Sequence, residues 1–175
     1  PGVADIHFHA RLAVAAAGAG AAGLRINPGN IGSRERVGGV VAAAREAGIP
    51  IRIGVNAGSL PKEKLALADL KPVRALVETI IDYVTLFEEL EFRDFKISAK
   101  SSSVTETIET NLALSREIEY PIHLGITEAG TRKTGSIKSA VGIGALLAQG
   151  VGDTIRVSLT GDPVEEIRVA YEILG

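Results

Sequence analysis

The chain has 175 residues and a formal net charge of −2, with 46% hydrophobic and 23% charged residues, which is typical of one globular domain. The small net charge argues against a nucleic-acid binder, whose surface is strongly basic, and no run of about 18 apolar residues predicts a membrane span. Cysteine is absent, which excludes disulfides and thiolate-bound metals within this chain, and the N-terminus lacks a signal pattern, so a cytoplasmic location is expected.

Six short segments in which apolar and polar residues alternate are predicted to be β-strands. In chain order they cover residues 4–8, 24–27, 51–59, 95–100, 122–127 and 154–160. In the third segment, Ile51, Ile53 and Val55 point to one face, and the polar or small residues between them point to the other. Strands of most parallel sheets are instead hydrophobic on both faces, because helices cover both. A polar row that recurs in six strands therefore predicts an enclosed polar surface.

A helical segment is predicted after each strand, at residues 9–22, 34–47, 72–91, 105–119, 135–149 and 162–174, with a further insert at 61–69. Ser33 and Asp162 are suited to cap helix N-termini, and Gly48 is suited to end a helix. Apolar residues at helical spacing predict the buried faces of three of these helices. These residues are Leu76, Ile80, Val84, Phe87, Ile108, Leu112, Ile118, Ile167, Ala170, Tyr171 and Leu174.

The strict alternation of strands and helices predicts an α/β fold with a parallel sheet and right-handed crossovers. The polar inner row favours a TIM (β/α)8-type barrel over a doubly wound sheet. Such a barrel has eight strands, whereas this chain shows six βα units. We therefore expect a single partial barrel domain covering residues 1–175, with two strands before Pro1. The open strand edges of such a remnant are expected to need a covering partner.

The active site of such a barrel lies at the C-terminal ends of its strands. Four cations are predicted there, Arg25, Arg52, Lys100 and Arg156, against two carboxylates, Asp5 and Glu128. Burial of so many like charges is costly unless an anion offsets them, and the planar fork of arginine suits phosphate oxygens. A single arginine on a strand is usually an ion-pair partner. Four cations on separate strands instead indicate a phosphate-ester substrate, with two phosphates favoured over one.

Other polar residues of the strands leave both structural and functional interpretations open. For His123, a hydrogen-bonded role in the core is at least as well supported as a catalytic one. Residues 130–138 could form an anion-binding helix N-terminus, although a solvated loop explains Arg132 and Lys133 better. The remaining polar residues of the predicted strands include His7, Asn27, Asn56, Ser98, Thr127 and Ser158.

Long stretches at the strand ends resemble one enzyme family. They are Ala-Asp-Ile-His-Phe at 4–8, Leu-Arg-Ile-Asn-Pro-Gly-Asn at 24–30, Ile-Arg-Ile-Gly-Val-Asn-Ala-Gly-Ser-Leu at 51–60, His-Leu-Gly-Ile-Thr-Glu-Ala-Gly at 123–130 and Gly-Asp-Thr-Ile-Arg-Val-Ser-Leu-Thr at 152–160. In this order they resemble the 4-hydroxy-3-methylbut-2-en-1-yl diphosphate synthases of the methylerythritol phosphate route to isoprenoids. The resemblance implies an oxidoreductase that opens and dehydrates 2-C-methyl-D-erythritol 2,4-cyclodiphosphate reductively. It also makes this chain strands three to eight of the family's barrel.

The resemblance implies roles for individual residues. The phosphate-binding residues would be Arg25, Arg52, Lys100 and Arg156, with hydrogen bonds from Asn27 and Asn56 and with Asp5 and His7 on the floor of the site. Glu128 would be the catalytic acid that protonates the leaving hydroxyl, which fits the chemistry because hydroxide leaves poorly without a proton.

The same resemblance implies a cofactor and protein partners. A [4Fe–4S] cluster on three Cys and a Glu would be carried by a C-terminal domain and reduced by ferredoxin or flavodoxin. A homodimer would bring the cluster of one subunit over the barrel of the other. Because this chain has no cysteine, it provides no cluster site and is expected to be inactive alone.

Two enzyme classes remain as alternatives. A class I aldolase-like barrel would use Lys100 to form a Schiff base with a carbonyl substrate. A pterin-binding barrel would also hold a diphosphate, although the long matches disfavour it. A third, non-enzymatic interpretation is that the chain is a folding fragment of a larger protein.

Overall fold

A computed structural model describes residues 2–175 of the chain. The strands are β1 (Val3–Ile6), β2 (Gly23–Ile26), β3 (Ile51–Asn56), β4 (Phe95–Lys100), β5 (His123–Leu124) and β6 (Thr154–Ile155). The helices are α1 (Ala10–Gly18), α2 (Pro28–Ile31), α3 (Arg34–Ala47), α4 (Leu65–Leu70), α5 (Pro72–Glu89), α6 (Val104–Glu117), α7 (Arg132–Leu147) and α8 (Pro163–Leu174). Two 3-10 turns, Ala57–Ser59 and Lys62–Lys64, connect β3 to α4.

All strand pairs are parallel and join strands that are consecutive in the chain. β1 to β4 form one sheet in that order, and β5 pairs with β6. A bridge between Ile97 and Ile122, together with a 2.8 Å hydrogen bond from the Ile97 amide to the Pro121 carbonyl, joins β4 to β5. The six strands therefore lie side by side in sequential order, and together they are called the wall. This arrangement confirms the predicted α/β fold with parallel strands of barrel type.

Four strands are shorter than the sequence predicts: β1 and β3 by one and three residues, and β5 and β6 by more. β5 and β6 each have two residues in place of the expected 122–127 and 154–160. The Arg156 amide still donates to the Leu124 carbonyl at 2.9 Å, after which the two chains separate until an isolated bridge joins Thr131 and Thr160. Within the described residues β6 has one strand neighbour, so its length depends on a single hydrogen-bond ladder.

The outward row of the strands forms the core beneath the helices. Ile51, Ile53, Val55 and Ile97 are all fully buried. On α5 the predicted stripe of Leu76, Ile80, Val84 and Phe87 is buried against this row. The expected amphipathic helix is therefore confirmed, and burial of the apolar side chains on both sides of this interface stabilises the wall.

The predicted buried face of α6 is wrong in part: its three apolar residues pack against the core, but they are not the most buried side chains. Ile108 and Leu112 are only partly buried and Ile118 lies beyond the helix, whereas the buried face is Thr107, Thr110, Asn111 and Leu114. The reason is the end of β4, where the Asn111 amide donates to the Ala99 carbonyl at 3.2 Å and Thr107 accepts from the Ser101 amide at 3.1 Å. Polar side chains pack here because the backbone needs hydrogen-bond partners.

The predicted stripe of α8 is also wrong in part. Ile167, Tyr171 and Leu174 are exposed, and only Ala170 of the four predicted residues packs against the core. The helix instead packs through Val169, Ala170 and Ile173, because α7 is its main helix neighbour in the described part of the chain. An apolar stripe shows which residues favour burial, but neighbouring elements decide which side is covered.

Two of the three helix ends predicted from capping residues are as expected, and one is not. Asp162 accepts from the Val164 amide at 2.9 Å as predicted, and Gly48 ends α3 in the left-handed region at φ 64°. Ser33 precedes α3, but its hydroxyl donates to Glu35 and makes no cap hydrogen bond to the backbone. Helix α7 begins three residues earlier than the predicted Gly135, because Thr131 accepts from the Thr134 amide at 3.4 Å.

None of the helices between residues 2 and 175 is long and apolar enough to cross a membrane. The cytoplasmic location expected from the sequence stays a prediction.

Candidate anion-binding site

The strand register places the inward polar side chains in layers. Asp5 pairs with Arg25, and Arg25 pairs with Arg52 on the next strand. Further along β3 and β4, Asn56 pairs with Lys100. Side chains two residues apart on a strand share a face, so both layers open to the inner side of the wall.

These layers line a cavity of about 330 Å³ on the inner side of the strands. All four cations predicted from separate strands reach it, together with Asp5, His7 and Asn56. The complete lining is Asp5, His7, Arg25, Arg52, Asn56, Ser98, Lys100, Ile126, Thr127, Arg156 and Ser158. The structure thus brings together seven of the nine residues to which the family resemblance assigns a role.

The charges of the cavity do not balance. Arg25 is 8% exposed and donates from one terminal nitrogen to Asp5 Oδ1 at 3.1 Å, and His7 Nε2 lies 3.8 Å from the same oxygen. Of the residues that the structure describes, Asp5 is the only carboxylate in the lining. No ion pair with a carboxylate is present for Arg52, Lys100 or Arg156 among residues 2–175. The site therefore has a local excess of positive charge, as the sequence predicts.

Lys100 has its amine buried within this excess of positive charge. Burial lowers the pKa of its ammonium group to about 7, and repulsion from Arg52, Arg156 and Arg25 contributes in the same direction. Both causes disfavour the charged form of the amine. A bound anion would act in the opposite direction, so the protonation of Lys100 and the occupancy of the cavity are coupled.

Arg52 also lacks part of the hydrogen bonding that a buried guanidinium requires. One terminal nitrogen lies 2.8 Å from His123 Nε2, but its buried Nε has no partner in the described residues. Burial, and then repulsion from Arg25, lower the pKa of Arg52. A buried donor without a partner costs about 1–3 kcal/mol.

Two glycines make room for the cations. A Cβ on Gly54 would lie 2.6 Å from Arg25 Nε. A Cβ on Gly125 would lie 2.6 Å from the Arg156 carbonyl oxygen and 3.2 Å from Lys100 Nζ. The requirement at both positions is therefore for space, because the Arg25 side chain lies against Gly54, and the Arg156 backbone and the Lys100 side chain lie against Gly125.

Replacing Gly54 by alanine should displace the guanidinium of Arg25 and weaken the binding of inorganic pyrophosphate about tenfold, which is the effect of one charge-assisted hydrogen bond. Gly39→Ala is the matched control, because Gly39 is exposed on α3 and a Cβ there meets nothing within 4 Å. The control should retain affinity and gain about 0.5–1 kcal/mol in unfolding free energy. Calorimetry measures the affinity for pyrophosphate, and urea denaturation measures the unfolding free energy. Unchanged affinity in Gly54→Ala would show that the space above Gly54 is not needed to position Arg25.

Two residues with an expected role lie outside the cavity lining. Asn27 is buried, accepts from the Gly29 amide at 3.1 Å as the N-cap of α2, and donates to Ser59 Oγ at 3.1 Å. It therefore holds the loops after β2 and β3 together. Glu128 is exposed in the turn after Thr127.

The backbone of Glu128 is in an unusual conformation. Its φ of 50° is in the left-handed region, where among the described residues Glu91 is the only other non-glycine residue. At Glu91 the conformation belongs to the end of α5, where the Phe92 amide donates to the Phe87 carbonyl at 3.0 Å. No helix end explains it at Glu128. Backbone strain of this kind is concentrated at functional sites, and here it is found beside the cavity.

The structure adds three hydroxyl side chains, Ser98, Thr127 and Ser158, to the lining. The resemblance assigns them no role. The sequence indicates their position through the alternation of the strands. Ser98 lies two residues before Lys100 and Ser158 two residues after Arg156, so each shares a strand face with a cation. Neutral hydroxyls beside cations can donate to anion oxygens without changing the charge of the site.

The residues of this chain do not fit an iron–sulfur cluster. The sequence has no cysteine, and residues 2–175 contain no group of three or more His, Asp or Glu side chains that could hold a metal ion.

The chain is similar to one family over nearly its whole length. Residues 1–171 match the family model described as the GcpE TIM-barrel domain. The chain is 59% identical over 174 residues to a protein of Clostridium perfringens (strain 13), 58% to one of Caldanaerobacter subterraneus subsp. tengcongensis and 56% to one of Geobacter sulfurreducens. Each of these proteins is named 4-hydroxy-3-methylbut-2-en-1-yl diphosphate synthase (flavodoxin). The matches cover 99% of this chain and 50%, 49% and 49% of the relatives, so the chain spans about half their length.

Proposed function

Because this chain belongs to the GcpE TIM-barrel domain family, we propose that it is the substrate-binding barrel of a 4-hydroxy-3-methylbut-2-en-1-yl diphosphate synthase. The substrate would be 2-C-methyl-D-erythritol 2,4-cyclodiphosphate, a small molecule with two negatively charged phosphates. The observation that carries the proposal is the cavity in which Arg25, Arg52, Lys100 and Arg156 converge with one carboxylate. A dianion would neutralise most of that excess charge.

Each group of lining residues has a role in this proposal. The guanidinium groups would bind phosphate oxygens through pairs of hydrogen bonds, and Lys100 would bind as a point charge. Asn56 would supply a neutral hydrogen bond, while Asp5 and His7 would line the floor. Asn27 would act through the loop it holds to Ser59.

Glu128 would supply the proton for the leaving hydroxyl. The proposed reduction takes up two electrons, breaks the ring at a carbon–oxygen bond to phosphate and releases a hydroxyl group as water. That oxygen must therefore gain a proton as its bond to carbon breaks. Glu128 is exposed beside Thr127 of the cavity lining, where its carboxyl is open to solvent for reprotonation.

The electrons would have to come from outside this chain. A [4Fe–4S] cluster would supply them when bound by residues beyond these 175, and the chain alone would be inactive for lack of it. The relatives carry flavodoxin in their names, which supports flavodoxin over ferredoxin as the donor. The homodimer implied by the family resemblance is part of the same proposal.

One observation favours the aldolase-like alternative. A lysine with a pKa of about 7 is suited to form a Schiff base, and Lys100 has that property. The names of the relatives and the excess of positive charge support the diphosphate instead. Borohydride reduction in the presence of carbonyl compounds should therefore trap no adduct on Lys100. The pterin-binding alternative has no support from the relatives.

Isothermal titration calorimetry on the chain tests the proposal. The cyclodiphosphate should bind, and its affinity should fall as salt is raised, because salt screens the attraction between the free dianion and the cations of the cavity over roughly 8 Å at physiological ionic strength. The uncharged polyol 2-C-methyl-D-erythritol is the matched control and should bind at least 100-fold more weakly, since it has no phosphate oxygens for the cations. Equal affinity for the two compounds would refute the proposal.

A further inference from the structure

A chain of two hydrogen bonds connects Arg52 to β6 through the buried side chain of His123. One terminal nitrogen of Arg52 lies 2.8 Å from His123 Nε2, and His123 Nδ1 lies 2.8 Å from Thr154 Oγ1. Arg52 is on β3 and His123 on β5, so this contact passes across the inner side of β4. His123 is 5% exposed and does not line the cavity.

The arginine determines the tautomer of the histidine. A guanidinium group has only donors, so Nε2 must be the acceptor of this hydrogen bond. The proton of a neutral imidazole is then on Nδ1, from which it donates to Thr154 Oγ1. Burial, and repulsion from Lys100, Arg52, Lys96 and Arg156, lower the pKa of His123 to about 2. His123 therefore stays neutral through the physiological range.

A neutral acceptor has a specific consequence for an anion site. Asp5 orients Arg25 through an ion pair and at the same time cancels much of its charge. His123 holds one donor of Arg52 without adding negative charge. The full charge of Arg52 is thus kept for a ligand, and its guanidinium is held in one orientation with Nε unpaired.

We propose that His123, held by Thr154 as the Nδ1–H tautomer, is a positioning residue that aims Arg52 at the diphosphate without neutralising it. This inference rests on the proposed function, because the ligand of Arg52 is taken to be the diphosphate. Fixing a flexible guanidinium before binding lowers the entropy cost of each hydrogen bond that it makes.

Three substitutions at His123 separate orientation from charge. In His123→Gln, the side-chain oxygen can reach the position of Nε2, so affinity for the cyclodiphosphate should stay within about threefold of the original chain. His123→Asn can replace only Nδ1 and should bind about tenfold more weakly. His123→Glu supplies an acceptor of the same length as glutamine but adds a negative charge. It should lose more than tenfold in affinity and show a weaker salt dependence.

Calorimetry gives these affinities, and circular dichroism shows whether each variant is folded. A His123→Asn variant that binds like the original chain, or a His123→Glu variant that binds like His123→Gln, would overturn the inference. If the original chain binds no cyclodiphosphate, the proposed function is refuted, and the ligand-free NMR experiment then tests the arrangement of His123 separately.

Nitrogen-15 NMR of the imidazole tests the arrangement without any ligand or any variant of His123. The expected spectrum has a protonated Nδ1 and an unprotonated Nε2 between pH 6 and 8. The Thr154→Val variant, which removes the acceptor for Nδ1–H, should broaden or shift both signals. A spectrum of the Nε2–H tautomer or of the imidazolium in the original chain would refute the inference independently of diphosphate binding.

Discussion

Replacing Lys100 by methionine is expected to stabilise the chain without ligand by about 3 kcal/mol at pH 6 and to weaken binding of the cyclodiphosphate about 100-fold. Both effects have one cause. The ammonium group is buried beside three arginines, which lowers its pKa to about 7. Methionine has a similar length and removes the charge, so the repulsion disappears together with one contact to the ligand.

The gain in stability should depend on pH. In the unfolded chain Lys100 has a pKa near the ordinary value of 10.5, and in the folded chain it has one of about 7. Below pH 7 both states carry the proton, so the folded chain bears the full cost of the buried charge. Between these two pKa values the unfolded state binds more protons, and the stability of the original chain rises with pH. The advantage of Lys100→Met should therefore shrink toward pH 10.

Urea denaturation at pH 6 and pH 9 measures this difference, and calorimetry measures the affinity. Lys62→Met is the matched control, because Lys62 is exposed in the 3-10 turn Lys62–Lys64 away from the cavity. It should change neither quantity by more than about 0.5 kcal/mol. A Lys100→Met variant that is less stable than the original chain at pH 6 would show that the ammonium group is not under electrostatic strain.

The second expected result is a steep loss of cyclodiphosphate affinity above pH 7. The dianion favours the protonated form of Lys100, so its binding raises the pKa of the amine above the unliganded value of about 7. Affinity should be greatest below this pKa. It should then fall by up to about tenfold per pH unit until the pKa of the complex is reached.

The constant charge of the ligand and two variants allow the loss of affinity above pH 7 to be assigned to Lys100. Each phosphate of the cyclic diphosphate carries one strongly acidic hydroxyl, so the charge of the ligand is constant across the range. His7 also lines the cavity, and the series is therefore repeated in His7→Gln, where the loss above pH 7 should persist. In Lys100→Met the affinity should be low and independent of pH between 7 and 9. A pH-dependent Lys100→Met variant would assign the titration to another group.

These results would describe a site whose buried cations lower the free energy of unfolding and increase the affinity for an anionic ligand. The strands are held in register by their buried outer row and by backbone hydrogen bonds, which together bring like charges into one cavity. Because the wall keeps Arg52 and Lys100 partly buried and close to other cations, burial and then mutual repulsion lower the pKa values of both. A ligand that relieves the repulsion binds more tightly for the same reason.

The alternation of residues along each strand was enough to predict the inner polar row. In a strand, side chains at every second position share a face, so the odd-numbered and even-numbered residues lie on opposite faces. Once the βα repeats predicted a parallel wall, Arg25, Arg52, Lys100 and Arg156 had to open to the same side. The buried stripe of α5 could be predicted for an equivalent reason, since helical spacing places Leu76, Ile80 and Phe87 on one face.

Contacts across the cavity could be seen only in the tertiary structure. Parity shows that Arg52 and His123 both point inward, but the stagger and curvature of the strands decide that they meet over β4. The same holds for Asn27, whose side chain caps α2 and reaches Ser59 because a loop from another βα unit lies beside it. The polar face of α6 and the exposed residues of α8 were missed because their neighbours decide burial. Local sequence determines which face of an element is apolar or polar, whereas the packing of distant elements determines what that face meets.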